Sequence, residues 1–185
     1  MKKACVFLAD GCEECEALLV VDLLRRAGVT VVTAALGEGL TVHTSHGIAL
    51  EADAAADDLD FTVFDAVILP GGAVGTANLT ASAAVASAVR GAAADGKLVA
   101  AVCAAPSVLA GLGLLEGRRA TCHPSFEEKM RGAVLTREPV TEDGDLITGR
   151  GLGAGIPFAL ALVRRLVGEQ EAEKIAQAIV YPFAW

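Results

Sequence analysis

Lys97-Leu98-Val99-Ala100-Ala101-Val102-Cys103-Ala104-Ala105-Pro106 carries, after its opening lysine, an apolar run that leads to a thiol at Cys103 and opens into an Ala/Leu-rich stretch punctuated by proline. It reads as a strand, a sharp turn and the start of a helix, with Cys103 at the turn. Backbone N–H groups left unpaired at a helix start, and the positive end of its dipole, favour thiolate over thiol. Cys103 is therefore the candidate nucleophile. The same strand-to-helix elbow displays nucleophiles in hydrolases, where flanking glycines relieve crowding; here the flanks are Val102, Ala104 and Ala105. By residue type alone a cysteine is more often a buried structural group.

Outward from this elbow, short apolar runs alternate with longer amphipathic ones, the sign of successive βα units and an α/β fold with a mostly parallel sheet. Strands are expected at 3–9, 29–35, 65–70, 98–102, 119–122 and 145–149. Helices are expected at about 14–27, 81–94, 104–113, 153–167 and 170–180, with Gly28, Gly96 and Gly168 placed as C-caps. Residues 40–53, around Ser45-His46-Gly47, read as a small appended hairpin. The 185 residues are 54% hydrophobic and 21% charged, which suits one domain over 1–185. Aromatics make up 4%, so Ala, Val and Leu must fill the core, as in thin helices packed on a parallel sheet.

A net charge of −8 argues against sequence-independent attraction to nucleic acid or to an anionic membrane. The apolar run after Met1-Lys2-Lys3 stops at Asp10, too short for a signal peptide, and the stretch from Gly151 to Val163 is too short to span a bilayer. Five cysteines, odd in number and irregularly spaced, suit a reducing compartment. The expected location is cytoplasmic.

Several polar or glycine residues fall just after the C-terminal ends of different strands: Glu13 and Glu16, Gly71-Gly72, Cys103, His123 and Arg150. In open α/β sheets ligands bind at that edge. On a helix Glu16 shares an arc with Val20, Leu23 and Ala27, so its carboxyl leans inward, whereas Glu13 and Glu14 fit simple complementation of the helix dipole and Glu14 is expected to face solvent. A partly buried Glu16 beside a thiolate should be raised in pKa and so able to donate a hydrogen bond to sulfur. In Cys122-His123-Pro124 the proline holds the histidine extended, and a thiol nucleophile commonly uses an imidazole as base or proton carrier. Two consecutive N–H groups at Gly71-Gly72 suit a developing oxyanion. Cys12-x-x-Cys15 has no second pair at zinc-like spacing, its acidic flank would raise a thiol's pKa, and no metal is expected.

These stretches together resemble the ThiJ/PfpI superfamily and its DJ-one subfamily. The similarity runs through Leu8-Ala9-Asp10-Gly11-Cys12-Glu13-Glu14-Cys15-Glu16, Val21 to Gly28, Leu69-Pro70-Gly71-Gly72 with Asn78-Leu79, Val102 to Pro106, Thr121-Cys122-His123-Pro124 and Thr148-Gly149-Arg150-Gly151. The resemblance implies a flavodoxin-like three-layer sandwich, a homodimer, and a reactive Cys103 hydrogen-bonded to a protonated Glu16. It also implies an oxyanion site of Gly72 and Ala104 amides, with His123 nearby. It implies no cofactor and a small aldehyde or dicarbonyl substrate. The activities it brings are glutathione-independent glyoxalase (methylglyoxal to lactate) or deglycase, of hydro-lyase or hydrolase class, and a redox-responsive chaperone or sensor acting through Cys103. A Cys-His amidase or protease is a more distant alternative, since no acidic residue immediately follows His123. Two positions depart from the family pattern: Ala105 where a glycine is usual, and His46 where relatives are often basic.

Overall fold

The computed structural model describes residues 1–182. The chain runs β1 (Lys3–Leu8), α1 (Glu14–Arg26), β2 (Thr30–Ala35), β3 (Thr41–His43), β4 (Ala49–Glu51), β5 (Ala54–Ala55), β6 (Ala66–Leu69), α2 (Ala73–Ala81) and α3 (Ala83–Ala94). It continues through β7 (Leu98–Val102), α4 (Pro106–Gly111), β8 (Arg119–Ala120), β9 (Val134–Leu135), β10 (Val140–Asp143), β11 (Leu146–Gly149), α5 (Gly155–Leu166) and α6 (Glu169–Ala178). Seven strands form one sheet in the order β10-β11-β7-β6-β1-β2-β5. All neighbours in it are parallel except the β10–β11 edge pair.

Alternation along the central strands divides the core between two faces. Ala4, Val6 and Leu8 of β1, Ala66 and Ile68 of β6, and Leu98, Ala100 and Val102 of β7 pack with α1, α5 and α6. Cys5, Phe7, Val67, Leu69, Val99 and Ala101 pack on the opposite face with α3 and α4. That is why these strands read as continuous apolar runs: both faces are covered. Phe158 on one face and Phe7 on the other are fully buried, each contributing about 1.5–3 kcal/mol. Because α1 carries the chain from β1 to β2 on one side while β6 pairs with β1 on the other, the strand order reverses at β1. The ends of β1, β6 and β7 thus open on a switch-point crevice. The three-layer α/β sandwich expected from the sequence is the architecture found.

The hairpin appears as β3–β4, with Thr41 opposite Glu51. Its attachment is specific: Gly11 N–H donates to His43 O at 2.7 Å and Ser45 N–H to Cys12 O at 2.8 Å. Three expectations are corrected. The strand expected at 119–122 shortens to β8 and pairs with β9 outside the main sheet, because β10 occupies the edge beside β11 and Thr121 N–H is taken by Thr148 Oγ1 at 2.9 Å. The helix expected at 81–94 is preceded by α2, and Ser82 caps α3 by accepting from Val85 N–H at 3.3 Å. At Gly75 of α2 a Cβ would lie 2.6 Å from Cys12 Cα, so the loop after β1 demands glycine inside this helix. The helix expected from 104 begins only at Pro106. Among the described residues, no helix is long and apolar enough to cross a membrane.

Candidate active site at the Cys103 elbow

Cys103 sits between β7 and α4 with φ +63°, a left-handed conformation that costs a non-glycine residue about 1–2 kcal/mol. The conformation is pinned from both sides. Its N–H donates to Gly149 O at 2.9 Å, and its carbonyl accepts His123 N–H at 2.8 Å. The half-buried side chain thereby leaves the alternation of β7 and turns toward the crevice, where the backbone N–H groups of Gly72 and Ala104 hydrogen-bond to its sulfur.

Glu16 is 1% exposed. Its Oε2 accepts Gly71 N–H at 3.0 Å, and the carboxyl is hydrogen-bonded to Cys103. Gly71 is glycine for lack of room: a Cβ there would lie 2.5 Å from Glu16 Oε2 and 2.6 Å from Cys103 Cβ. The expected oxyanion role of Gly71 is corrected, since its N–H is committed to Glu16; the amides aimed at the thiol are those of Gly72 and Ala104. Glu13 caps α1, its Oε2 accepting Glu16 N–H at 2.7 Å, and so orients the first turn that carries Glu16.

Burial pushes the Glu16 carboxyl up to about 7; the charge of Glu13 adds to this, while the hydrogen bonds from Cys103 and Gly71 oppose it. Burial also pushes the Cys103 thiol up to about 12, reinforced by the Glu16 charge and by the hydrogen bond to Glu16, against the pull of the Gly72 and Ala104 amides. The sequence expectation of a thiol made acidic by a helix start is therefore corrected. The turn precedes a six-residue helix, and desolvation beside a carboxylate outweighs the amides. Both groups are raised and each raises the other, so the pair titrates as a unit, and in its singly charged form one proton is shared between sulfur and carboxyl. Passing that proton from sulfur to Glu16 creates a thiolate without changing the net charge, in reach of two N–H donors.

Glu14, expected to face solvent, is instead buried beneath the hairpin, bonded to His46 Nδ1 at 2.7 Å and to Ser45 Oγ at 3.2 Å. Although desolvation raises its pKa, hydrogen bonds from its own backbone, Thr44, His46 and Ser45 hold the carboxyl below the usual range. Glu13, Glu14 and His46 place metal-ligating atoms within 4.8 Å of one another, a closeness the Glu14–His46 hydrogen bond itself explains. Cys12 is buried, Cys15 is exposed, and all five cysteines are free thiols.

The crevice is a pocket of about 580 Å³ with Cys103, Glu13, Glu16, His123 and Arg150 on its wall. His123 is exposed, and its Nδ1 lies 2.6 Å from Ser125 Oγ. Arg150 reaches the wall with its guanidinium already held by Glu127 at 3.4 Å and Cys122 O at 3.5 Å, while Glu127 also pairs with Arg137 at 2.9 Å. The expected substrate-binding cation is thus largely compensated. Sequence reading missed Ser125, Glu127 and the apolar wall of Pro139, Leu152 and Ala154. Ser125 was recoverable, since His-Pro-Ser places a side-chain cap directly before a proline; the others come together only through the fold.

The DJ-1/PfpI family pattern matches residues 2–165. Over 184 residues the chain is 35% identical to protein dj-1beta of Drosophila melanogaster, covering 98% of each. It is 37% identical to protein DJ-1 homolog B of Arabidopsis thaliana, covering 97% of this chain but only 41% of that longer protein. A DJ-1 superfamily protein from Salmonella typhimurium, solved as a cysteine-to-alanine mutant, superimposes with a TM-score of 0.95 at 42% identity, covering 99% of this chain and 100% of the other. With matched sequence, matched fold and the elbow cysteine in place, this chain belongs to the DJ-1/PfpI family.

Proposed function

We propose that this chain is a cofactor-independent glyoxalase- or deglycase-type enzyme that converts small reactive dicarbonyls, methylglyoxal to lactate, through Cys103. One observation carries the reading: a thiol and a buried carboxyl are hydrogen-bonded to each other at the wall of an open pocket, with the N–H groups of Gly72 and Ala104 aimed at the sulfur.

With the proton on Glu16, the thiolate adds to the aldehyde carbon and the carbonyl pair moves onto oxygen, next to the Gly72 and Ala104 amides. Glu16 protonates that oxygen, giving a hemithioacetal and a carboxylate. The carboxylate then removes the aldehyde-derived C–H proton and returns it to the neighbouring carbon, while the hydroxyl proton passes to the former ketone oxygen. The product is a 2-hydroxy thioester. Water cleaves its C–S bond, releasing the hydroxy acid and restoring the thiol. The overall change is addition of water with internal redox, so no outside oxidant or reductant is required.

The homodimer belongs to the same proposal: Leu18, Ile48 and Leu152 expose 44–48% of their surfaces on α1, the hairpin and the turn before α5, the kind of apolar surface a second copy covers. Five free thiols agree with a cytoplasmic setting. Against the amidase alternative, Nδ1 of His123 is held by a serine and not by an orienting carboxylate. A redox-sensing role rests on the half-buried Cys103 thiol opening on the pocket. Incubation of wild type and Cys103→Ala with methylglyoxal, with lactate measured by an independent enzyme, tests the reading. Cysteine-dependent lactate supports it; loss of aldehyde without lactate reduces Cys103 to a trap and refutes it.

A further inference from the structure

We propose that Ser125 is a positioning residue that locks His123 as the Nε2–H tautomer, so that His123 serves as a hydrogen-bond donor to the substrate and leaves the work of base to Glu16. The inference rests on the glyoxalase reading for its substrate but on geometry for the tautomer. His123 caps the short 3-10 segment Pro124–Lys129 from an extended backbone at φ −60° and ψ 137°. Proline at the first position has no N–H to offer, so the first donor to meet the cap is Ser125 N–H, 3.3 Å from His123 Nδ1.

A backbone N–H is a donor in every protonation state of the ring. Nδ1 must therefore present its lone pair, and in the neutral imidazole the proton sits on Nε2. The Ser125 hydroxyl, 2.6 Å from the same nitrogen, then donates as well. Two donors from one residue converge on one lone pair. Among the described residues no protein atom hydrogen-bonds to Nε2. The ring stands on the pocket wall, its Cδ2, adjacent to Nε2, 3.7 Å from the point a Cβ would occupy on Gly151.

A ring held this way cannot accept a proton at Nε2, so the expectation of His123 as the base for the thiol is replaced. In the proposed reaction the place for an Nε2–H donor is the ketone oxygen, which gains negative charge as Glu16 removes the neighbouring C–H proton. The donor strengthens as that charge develops, so its loss should appear in kcat and not in KM.

The test combines tautomer and turnover. In protein labelled with 15N-histidine, ring 15N–1H correlations, assigned with a His123→Gln variant, should show His123 with an unprotonated Nδ1 and a protonated Nε2. Ser125→Ala removes the closer donor at an exposed position, so it should give averaged ring shifts and lower kcat about fivefold with KM unchanged, and Ser125→Thr should restore both. A protonated Nδ1 in wild type overturns the proposal, as does a Ser125→Ala variant with unaltered ring shifts and unaltered kcat. If wild type makes no lactate while His123 shows the Nε2–H form lost in Ser125→Ala, the glyoxalase reading fails and the positioning assignment stands.

Discussion

Replacing Glu16 by glutamine tests the electrostatics of the site without requiring any knowledge of the substrate. A carboxyl raised from its ordinary 4.5 to about 7 is harder to ionise in the folded chain than in the unfolded one. Below pH 4.5 both states hold the proton and the group is neutral to stability. Between 4.5 and 7 the unfolded chain has released its proton while the folded chain retains it, so the slope of unfolding free energy against pH is negative. Stability is thus highest at low pH, falls as pH rises from 4.5 towards 7, and levels off above 7. At ~1.4 kcal/mol per pH unit, the span amounts to about 3 kcal/mol. Glutamine is close in shape and can still accept Gly71 N–H, but it does not titrate. The assay is urea unfolding of wild type and Glu16→Gln at half-unit intervals from pH 4.5 to 7.5. The other carboxylates titrate alike in both proteins and cancel in the difference. Wild type should lose about 3 kcal/mol relative to the variant across this window. Parallel curves would mean that the Glu16 carboxyl ionises normally, and the shared-proton account of the pair would fall with it.

The same variant should alkylate faster at Cys103 near pH 7, because the carboxylate that holds the thiol up has gone, while lactate formation collapses; an iodoacetamide rate equal to or below wild type contradicts this. Cys103→Gly should be more stable than Cys103→Ala by about 1 kcal/mol in urea midpoints, since glycine relieves the positive φ; equal midpoints would show the elbow to be unstrained. Gly71→Ala should fold with reduced stability and lose at least about tenfold in kcat, its methyl landing between Glu16 and Cys103; full activity would show that the pair is not held by Gly71.

The parts of the molecule legible in the sequence are those in which one residue's neighbours along the chain determine its surroundings. The β7 run and the inward arc of Glu16 on α1 follow from periodicities of two and 3.6 residues, and the structure buries both as that logic requires. Short-range reasoning failed wherever a polar group's partner comes from a distant element. Glu14 looked like a solvated first-turn acid, yet Ser45 and His46, about thirty residues away, close over it. Arg150 reads as a candidate ligand-edge residue from its place after a strand, yet Glu127 compensates its charge. No helix is expected between 70 and 81, yet α2 lies there, with Gly75 passing against the Cys12 backbone.

Cys103 shows the same limit acting on chemistry. A turn before a helix lowers a thiol pKa only if little else surrounds it; here β1 and β6 deliver Glu13, Glu16 and Gly71 to the same few ångströms. Burial then governs both acid groups and raises them together. A nucleophile raised in pKa by a neighbouring carboxylate is unusable if the two titrate independently, but in this arrangement the group that suppresses the thiolate is also the base that can create it. Sulfur is therefore activated by relocating one proton within a pair of fixed charge, and the Gly72 and Ala104 amides favour the form in which sulfur carries that charge. That coupling explains why Glu16 must be buried. A solvated carboxylate would ionise well below neutrality and could not return the proton to carbon at the rate the reaction needs, whereas one held near 7 is poised for transfer in both directions.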